Sequence, residues 1–379
     1  MEPTRTAYGI WSGGRFMHFG EALEEDKIAR LIQHAYLKGI RTFMTADVYG
    51  HGSADEMIGA ALKEYSRDSY CLVGAVGHDY YQGKRDGAKG YPRFTDQRLR
   101  APGDYRDYLL TATEKALKRC QQEKFDLLLL HNPDATGYSH DAVWKAMQSL
   151  REEGLTDRLG IAPGPANGFT LDLILSFERF GELIDWAMII LNPLEPWPGK
   201  LSLPAAEKFD VNLLTRVVDY GGLFHGDVLP GHEFGNGDHR TYRPQGWVEA
   251  GNEKLDQMRA FANKYHLTLL QLACLWNLSH DPVKSVVPTL IQEAGDSAKP
   301  IEVKADELAE LPDIELDVDD LAAIEAIGNN KGCMSLKGGN PNYSGDAVAD
   351  GWEMNGALES VAERWRIQPE EDLVCTHSA

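Results

Sequence analysis

Tyr49, His51, His78 with Asp79, and His131 are the side chains whose types and positions could do chemistry in this chain. Each follows an apolar run: "GIRTFMTA" before Tyr49, "CLVGAVG" before His78, and "FDLLLLH" ending on His131. A phenol can hand a proton to a carbonyl oxygen, and an imidazole can orient that oxygen or relay the proton. A free phenol near pKa ~10 is a poor donor at neutral pH unless a cation stabilises its anion. Cations that could do so are His51, His78 and the loop residues Lys84, Arg85, Lys89, Arg93, Arg98 and Arg100. The four groups His51, His78, Asp79 and His131 also suggest a second chemistry. Imidazoles plus a carboxylate could hold a divalent metal and polarise a sugar carbonyl or hydroxyl, although no compact H-x-x-x-H spacing occurs. The plainer reading is a packed aromatic, a core histidine and solvated loop charges.

The elements that must position these residues alternate regularly. Amphipathic stretches such as "EEDKIARLIQHAYLKG", "DYLLTATEKALKRCQQ" and "HDAVWKAMQSLREEG" each lead into a short apolar run. The runs show no polar alternation, as parallel strands buried on both faces require. Seven helix–strand cycles, with an eighth strand expected earlier in the chain, predict an α/β fold: a single (β/α)8 TIM barrel. The runner-up, a doubly wound open sheet, lacks a G-x-G-x-x-G after its first strand. Residues 1–328 are expected to form the barrel. Residues 329–379, Gly/Asn-rich with Trp352 and Trp365, are expected to form a C-terminal extension that straps the surface or closes over the mouth. Residues 78–104 form a long Gly- and Arg-rich loop, the expected substrate loop.

Bulk properties narrow the partners. The 379 residues are 43% hydrophobic and 25% charged, with net charge −20 and pI near 5.0. Such an acidic chain repels nucleic acid and anionic membranes, which leaves a small-molecule substrate. The five cysteines (Cys71, Cys120, Cys274, Cys333 and Cys375) are scattered without a C-x-x-C, so no disulfide framework is expected. With no apolar leader and no apolar run of about 18 residues, the expectation is a cytoplasmic protein.

Five segments resemble the aldo-keto reductases, in their order. "YGHGSADEMIGAAL" is similar to the family's Y-G-x-G-x-x-E-x-x-(I/L)-G, and "FDLLLLHNPD" to its D-x-x-x-x-H-x-P-D. "LGIAPG" stands where the family carries L-G-V-S-N. "RVVDYGGLFHG" resembles R-S-P-L-G-G-G-L-L-T-G, and "LTLLQLACLWNLSHDPVKSVVP" resembles V-T-P-A-Q-L-A-L-x-W-x-L and the strand ending I-P. The resemblance covers residues 8 to about 328. It implies a barrel of that family's type that reduces carbonyls with NADP or NAD.

Residue by residue, the resemblance implies Tyr49 as general acid and His131 as the group that orients the carbonyl. It also implies a Lys that lowers the phenol's pKa and an Asp that holds the Lys, but those positions are Ala75 and Met44. The nicotinamide-amide positions are Ala162, Pro163 and Met188, and the Ser before the pyrophosphate loop is Val217. Cofactor binding is assigned to Gly221, Gly222 and Leu223 at the pyrophosphate, and to Lys299 and Glu307 at the adenosine end. Asp219 beside that loop is unfavourable for a pyrophosphate unless it points at a ribose hydroxyl. Trp11, His51 and His78 are expected near substrate, with Tyr80, Tyr81 and Trp197 as rim aromatics, and no metal is assigned. The function expected is an oxidoreductase with an atypical site acting on a carbonyl or polyol of sugar type. The alternatives are a non-redox enzyme on the same barrel (lyase, epimerase or glycoside-cleaving), or a catalytically silent binding protein.

Overall fold

The computed structural model describes residues 1–87, 90–164, 169–243, 245–331 and 354–373. Eight parallel strands pair in chain order: β1 (Ala7–Gly9), β2 (Thr42–Met44), β3 (Cys71–Val76), β4 (Leu127–His131), β5 (Leu159–Ala162), β6 (Trp186–Ile190), β7 (Asn212–Arg216) and β8 (Val283–Val287). A parallel bridge between Thr6 and Val286 brings the last strand to the first. The Val286 N–H donates to the Arg5 carbonyl at 2.9 Å, so the sheet closes on itself. The expected (β/α)8 barrel is the observed one. Its eighth strand, the short β1, lies ahead of the seven that the sequence marks clearly.

Strand parity explains the uninterrupted apolar runs. Along β3, Cys71, Val73 and Ala75 face the barrel interior, while Leu72 and Val76 pack outward under the helices. Along β4, Leu127 and Leu129 face in, and Leu128 and Leu130 face out. Both faces are dry, so neither tolerates a polar residue until the strand ends. His131 continues the inward set at the C-terminal end of β4 and is the first polar residue in it. Each outward Leu contributes about 1.5–3 kcal/mol by burial.

The helices surrounding the barrel are α1 (Glu25–Leu37), α2 (Ser53–Leu62), α3 (Tyr105–Cys120), α4 (Ala135–Ser139), α5 (Asp141–Glu152), α6 (Thr170–Phe180), α7 (Leu203–Lys208), α8 (Trp247–Lys264), α9 (Leu269–Leu278), α10 (Ile301–Ala309), α11 (Val318–Gly328) and α12 (Gly356–Trp365). Helix α9 starts on a capping box in which Thr268 and Gln271 satisfy each other's backbone N–H. Three helices escape the periodicity reading. Helix α4 is only five residues long, α10 lies between β8 and the last periodic helix, and α12 lies in the C-terminal extension. The described end of the extension packs beside α6. Glu178 accepts from Arg364 Nε and from Trp365 Nε1, both at 2.9 Å. Trp352 lies outside the described residues, as do Cys333 and Cys375. Cys71, Cys120 and Cys274 are buried free thiols. Among the described residues no helix is long and apolar enough to cross a membrane.

Helix α2, which begins just after Tyr49, touches α3 at a close approach. A Cβ on Gly59 would stand 2.6 Å from the Cys120 carbonyl oxygen, inside backbone that cannot move aside. Gly59→Ala is therefore expected to lower stability by about 1–3 kcal/mol, read as a drop in the urea midpoint with an unchanged slope.

Candidate active site

The turn carrying Tyr49 is built by backbone pairing past the end of β2. Thr45 N–H donates to Val73 O at 2.9 Å and Asp47 N–H to Ala75 O at 3.1 Å. The chain then reverses through three left-handed residues: Gly50 (φ 56°), His51 (φ 54°) and Gly52 (φ 96°). A side chain at Gly52 would stand 2.3 Å from Arg119 Nε. Its absence lets Arg119 reach Asp55, with Nε at 3.0 Å and Nη2 at 2.9 Å from Oδ2. Thr45 Oγ1 donates to the same buried carboxyl at 2.7 Å. That network fixes the start of α2, and with it the angle of the Tyr49 loop.

At the C-terminal mouth the structure brings Tyr49 and His131 together. Their ring centroids are 5.7 Å apart and the rings meet edge-on at 85°. His78 adjoins His131 at 5.0 Å, and Trp11 meets the other side of Tyr49 at 6.3 Å. Met44 and Ala75 lie in the apolar interior below, with Trp186 and Met188. His131 has one ring nitrogen, Nδ1, sealed off without a partner, which leaves Nε2 for the mouth.

Burial dominates the ionisation of all three groups. It pushes the Tyr49 phenol up to about 12, with Arg216 opposing. It pulls the His131 imidazole down to about 3, with Arg93 and Arg216 acting in the same direction. His78 is held well below the usual histidine range by burial, then by Arg93 and His131. Near neutral pH the mouth therefore presents a neutral phenol and two neutral imidazoles.

Of the loop cations expected to tune Tyr49, Lys84 and Arg85 are exposed and three others are engaged elsewhere. Arg93 donates to the Asn132 carbonyl and lies 3.2 Å from His78 Nδ1. Arg98 pairs with Asp96, Arg100 pairs with the buried Asp79, and Lys89 lies outside the described residues. The cation whose field reaches the phenol is Arg216, at the end of β7. Its sequence signal is slight: it is the first residue of "RVVDYGG" and ends an apolar run. Asp47 was also missed: it is buried with both carboxyl oxygens unpartnered, and burial raises its pKa.

The metal alternative loses its geometry. His51 stacks on Tyr80 and lies 2.7 Å from the Tyr91 hydroxyl, and Asp79 is committed to Arg100. His78 Nε2 lies 3.1 Å from the Asn132 amide, so both its nitrogens are engaged. Among the described residues no cluster of three or more His, Cys, Asp or Glu could hold a metal ion.

The loop after β7 tests whether a nicotinamide dinucleotide fits. Tyr220 (φ 47°), Gly221 (φ 66°) and Gly222 (φ 94°) form a left-handed run, preceded by Val217 at φ 58°, a strained value for a β-branched residue. Glycine at two of these positions lets an anion approach the backbone amides of the turn closely. The Asp219 carboxyl takes one amide of that loop, accepting from Gly222 N–H at 3.0 Å, and it also accepts from Thr289 N–H at 2.7 Å. Arg243 lies between the Tyr220 and Trp247 rings, at 4.3 and 4.9 Å. Its Nε is 3.4 Å from where a Gly221 Cβ would be. Arg240 contributes less charge, because Asp238 and Glu293 both pair with it. Lys299 and Glu307 lie beside each other, Nζ to Oε1 2.9 Å. The residues present thus fit the diphosphate of such a cofactor. Around its carboxamide, Ala162, Pro163 and Met188 offer no polar side chain.

Both imidazoles should stay neutral across pH 5–8, so neither His78 nor His131 should show a titrating C2–H resonance in that range. A depressed histidine pKa stabilises the fold above the unfolded value near 6.5 and loses that stability as pH falls toward 3. Replacing His131 by Gln should therefore flatten the decline in unfolding free energy between pH 6 and 4 by about 1.4 kcal/mol per pH unit.

Comparison with known proteins agrees with this geometry. The aldo/keto reductase family model matches residues 7–327. Versiconal hemiacetal acetate reductase from Aspergillus parasiticus is 23% identical over 317 residues, covering 74% of this chain and 83% of the relative. The solved glycerol dehydrogenase of Gluconobacter oxydans superposes with a TM-score of 0.64 at 23% identity, over 85% of this chain and 90% of its own. An aldo-keto reductase from Klebsiella pneumoniae in complex with NADPH gives 0.55 at 19%, over 85% and 90%. With a family model spanning the whole barrel, this chain belongs to the aldo/keto reductase family.

Proposed function

We propose that this chain is an oxidoreductase acting on a carbonyl or polyol of sugar type, with a nicotinamide cofactor and an atypical proton-transfer site. The observation that carries the reading is the edge-on contact of Tyr49 and His131 at the mouth of an aldo/keto reductase barrel. The relatives add support: one is a glycerol dehydrogenase, and another was solved with NADPH.

In this reading Gly221 and Leu223 offer backbone amides to the diphosphate and Gly222, its own N–H held by Asp219, gives the close approach, with Arg243 alongside, and Lys299 and Glu307 lie toward the adenosine end. The bound cofactor supplies hydride exchange. Tyr49 donates its proton to the substrate oxygen as that oxygen gains charge, and His131 Nε2 fixes the oxygen's direction. Neutral His78, braced by Arg93 and Asn132, keeps the His131 ring in place. Trp11 and the apolar interior exclude water. A phenol raised to about 12 is always protonated but gives up its proton reluctantly. Apolar Met44 and Ala75, at the positions where the family resemblance implies an Asp and a Lys, account for that reluctance. Residues 1–328 form the catalytic barrel in this reading, and 329–379 an extension.

A second reading, a non-redox enzyme on the same barrel, draws on the apolar surroundings at Ala162, Pro163 and Met188. Nicotinamide fluorescence separates the two. Saturable NADPH or NADH binding below about millimolar supports the first, and its absence leaves the second. Tyr49→Phe should cut turnover by roughly 10²–10⁴-fold while cofactor affinity holds. Unchanged turnover removes Tyr49 from the mechanism. The double change Met44→Asp/Ala75→Lys should raise reduction of simple carbonyls, measured as kcat/KM at pH 7.

A further inference from the structure

We propose that Arg216 anchors an anionic group of the substrate, a carboxylate or a phosphate, beside Tyr49 and His131. The proposal rests on the reading of that mouth as the reacting site, and it narrows the sugar-type substrate to an acidic one.

Arg216 ends β7 with the parity of Leu214, which faces the barrel interior. Its guanidinium donates through Nη2 to the carbonyl oxygens of Pro163 and Gly164, two strands away. No carboxylate lies within ion-pair distance of it among the described residues, and its Nε is buried without a partner. A guanidinium keeps its charge at any accessible pH, so this one is held in place by dipoles with its charge unanswered. The acid whose field does reach it is Glu195, which burial biases toward its neutral form.

Two roles are open to such a cation, and magnitude decides between them. As a tuner of the phenol it is outweighed, because burial still leaves Tyr49 well above a free tyrosine. Its field therefore remains available to another anion. The other charge acting on His131 is Arg93, also a cation, and burial and cations, not carboxylates, dominate at Tyr49, His78 and His131. In a chain of net charge −20 the local sign is reversed at this one mouth. Screening confines the opposing bulk field to about 8–10 Å, so a cation in contact prevails locally. Carboxylate and phosphate both suit a guanidinium whose fork of N–H groups the two carbonyls, both bound through Nη2, do not fill.

The test is calorimetric titration of the full chain with a hexuronate, a hexose 6-phosphate and the neutral hexose. One acid should bind at least about tenfold tighter than the neutral sugar, the worth of one charged hydrogen bond. A tight uronate identifies carboxylate, and a tight phosphoester identifies phosphate. In Arg216→Met the three ligands should fall to similar affinity, and Arg216→Lys should keep part of the preference. Equal binding of all three to the unmodified chain, or an acid preference that survives Arg216→Met, would overturn the proposal. If Arg216→Met does not fold, the ratio in the unmodified chain and Arg216→Lys still decide. Binding is read without turnover, so an acid preference together with full activity in Tyr49→Phe would overturn the Tyr49 assignment alone.

Discussion

Desolvation at the barrel mouth is the constraint on which the site's chemistry depends. The phenol of Tyr49 and the imidazoles of His78 and His131 are enclosed by aromatic and aliphatic neighbours, and burial is the largest influence on each. A dry site favours neutral forms and strengthens whatever charge remains. The charge that remains comes from two arginines, brought in from the β3 loop and from the end of β7. The mouth thus combines neutral proton-handling groups with fixed cations.

That combination differs from what the family resemblance implies. There an ammonium beneath the phenol would make proton release easy. Here Met44 and Ala75 belong to the apolar cluster against which Tyr49 packs, and the cation whose field reaches the phenol is Arg216. The loop after β7 keeps the strained backbone that suits a diphosphate, including Val217 at a conformation few β-branched residues adopt. The scaffold is that of the family; in the proposed reading the phosphate cradle is kept, while the proton path and the carboxamide surroundings depart from it.

Much of this was readable in order along the chain. Seven apolar runs with helical spacers predicted the barrel, because a strand buried on both faces cannot carry polar residues. Tyr49 and His131 were legible because each is the first polar aromatic after such a run. Arg216 was not, because an arginine closing an apolar strand looks the same whether it snorkels to solvent or turns inward. Asp47 was passed over for the same reason, lying between two hydrophobic neighbours on a turn whose direction the sequence does not show. The metal reading failed because sequence places ligands near one mouth but not their partners. Arg100, Arg93 and Asn132 claim Asp79 and His78 first.

The sequence alone therefore determined the closed parallel architecture and the two side chains that end up edge to edge. These follow from local pattern, since a strand buried on both faces stays apolar until it ends. Only the tertiary structure decided which charges face those two side chains. That choice depends on the long side chains of Arg93, after β3, and Arg216, on β7, meeting backbone carbonyls after β4 and β5. Their partners are set by distances between segments far apart in the chain, which no local pattern records.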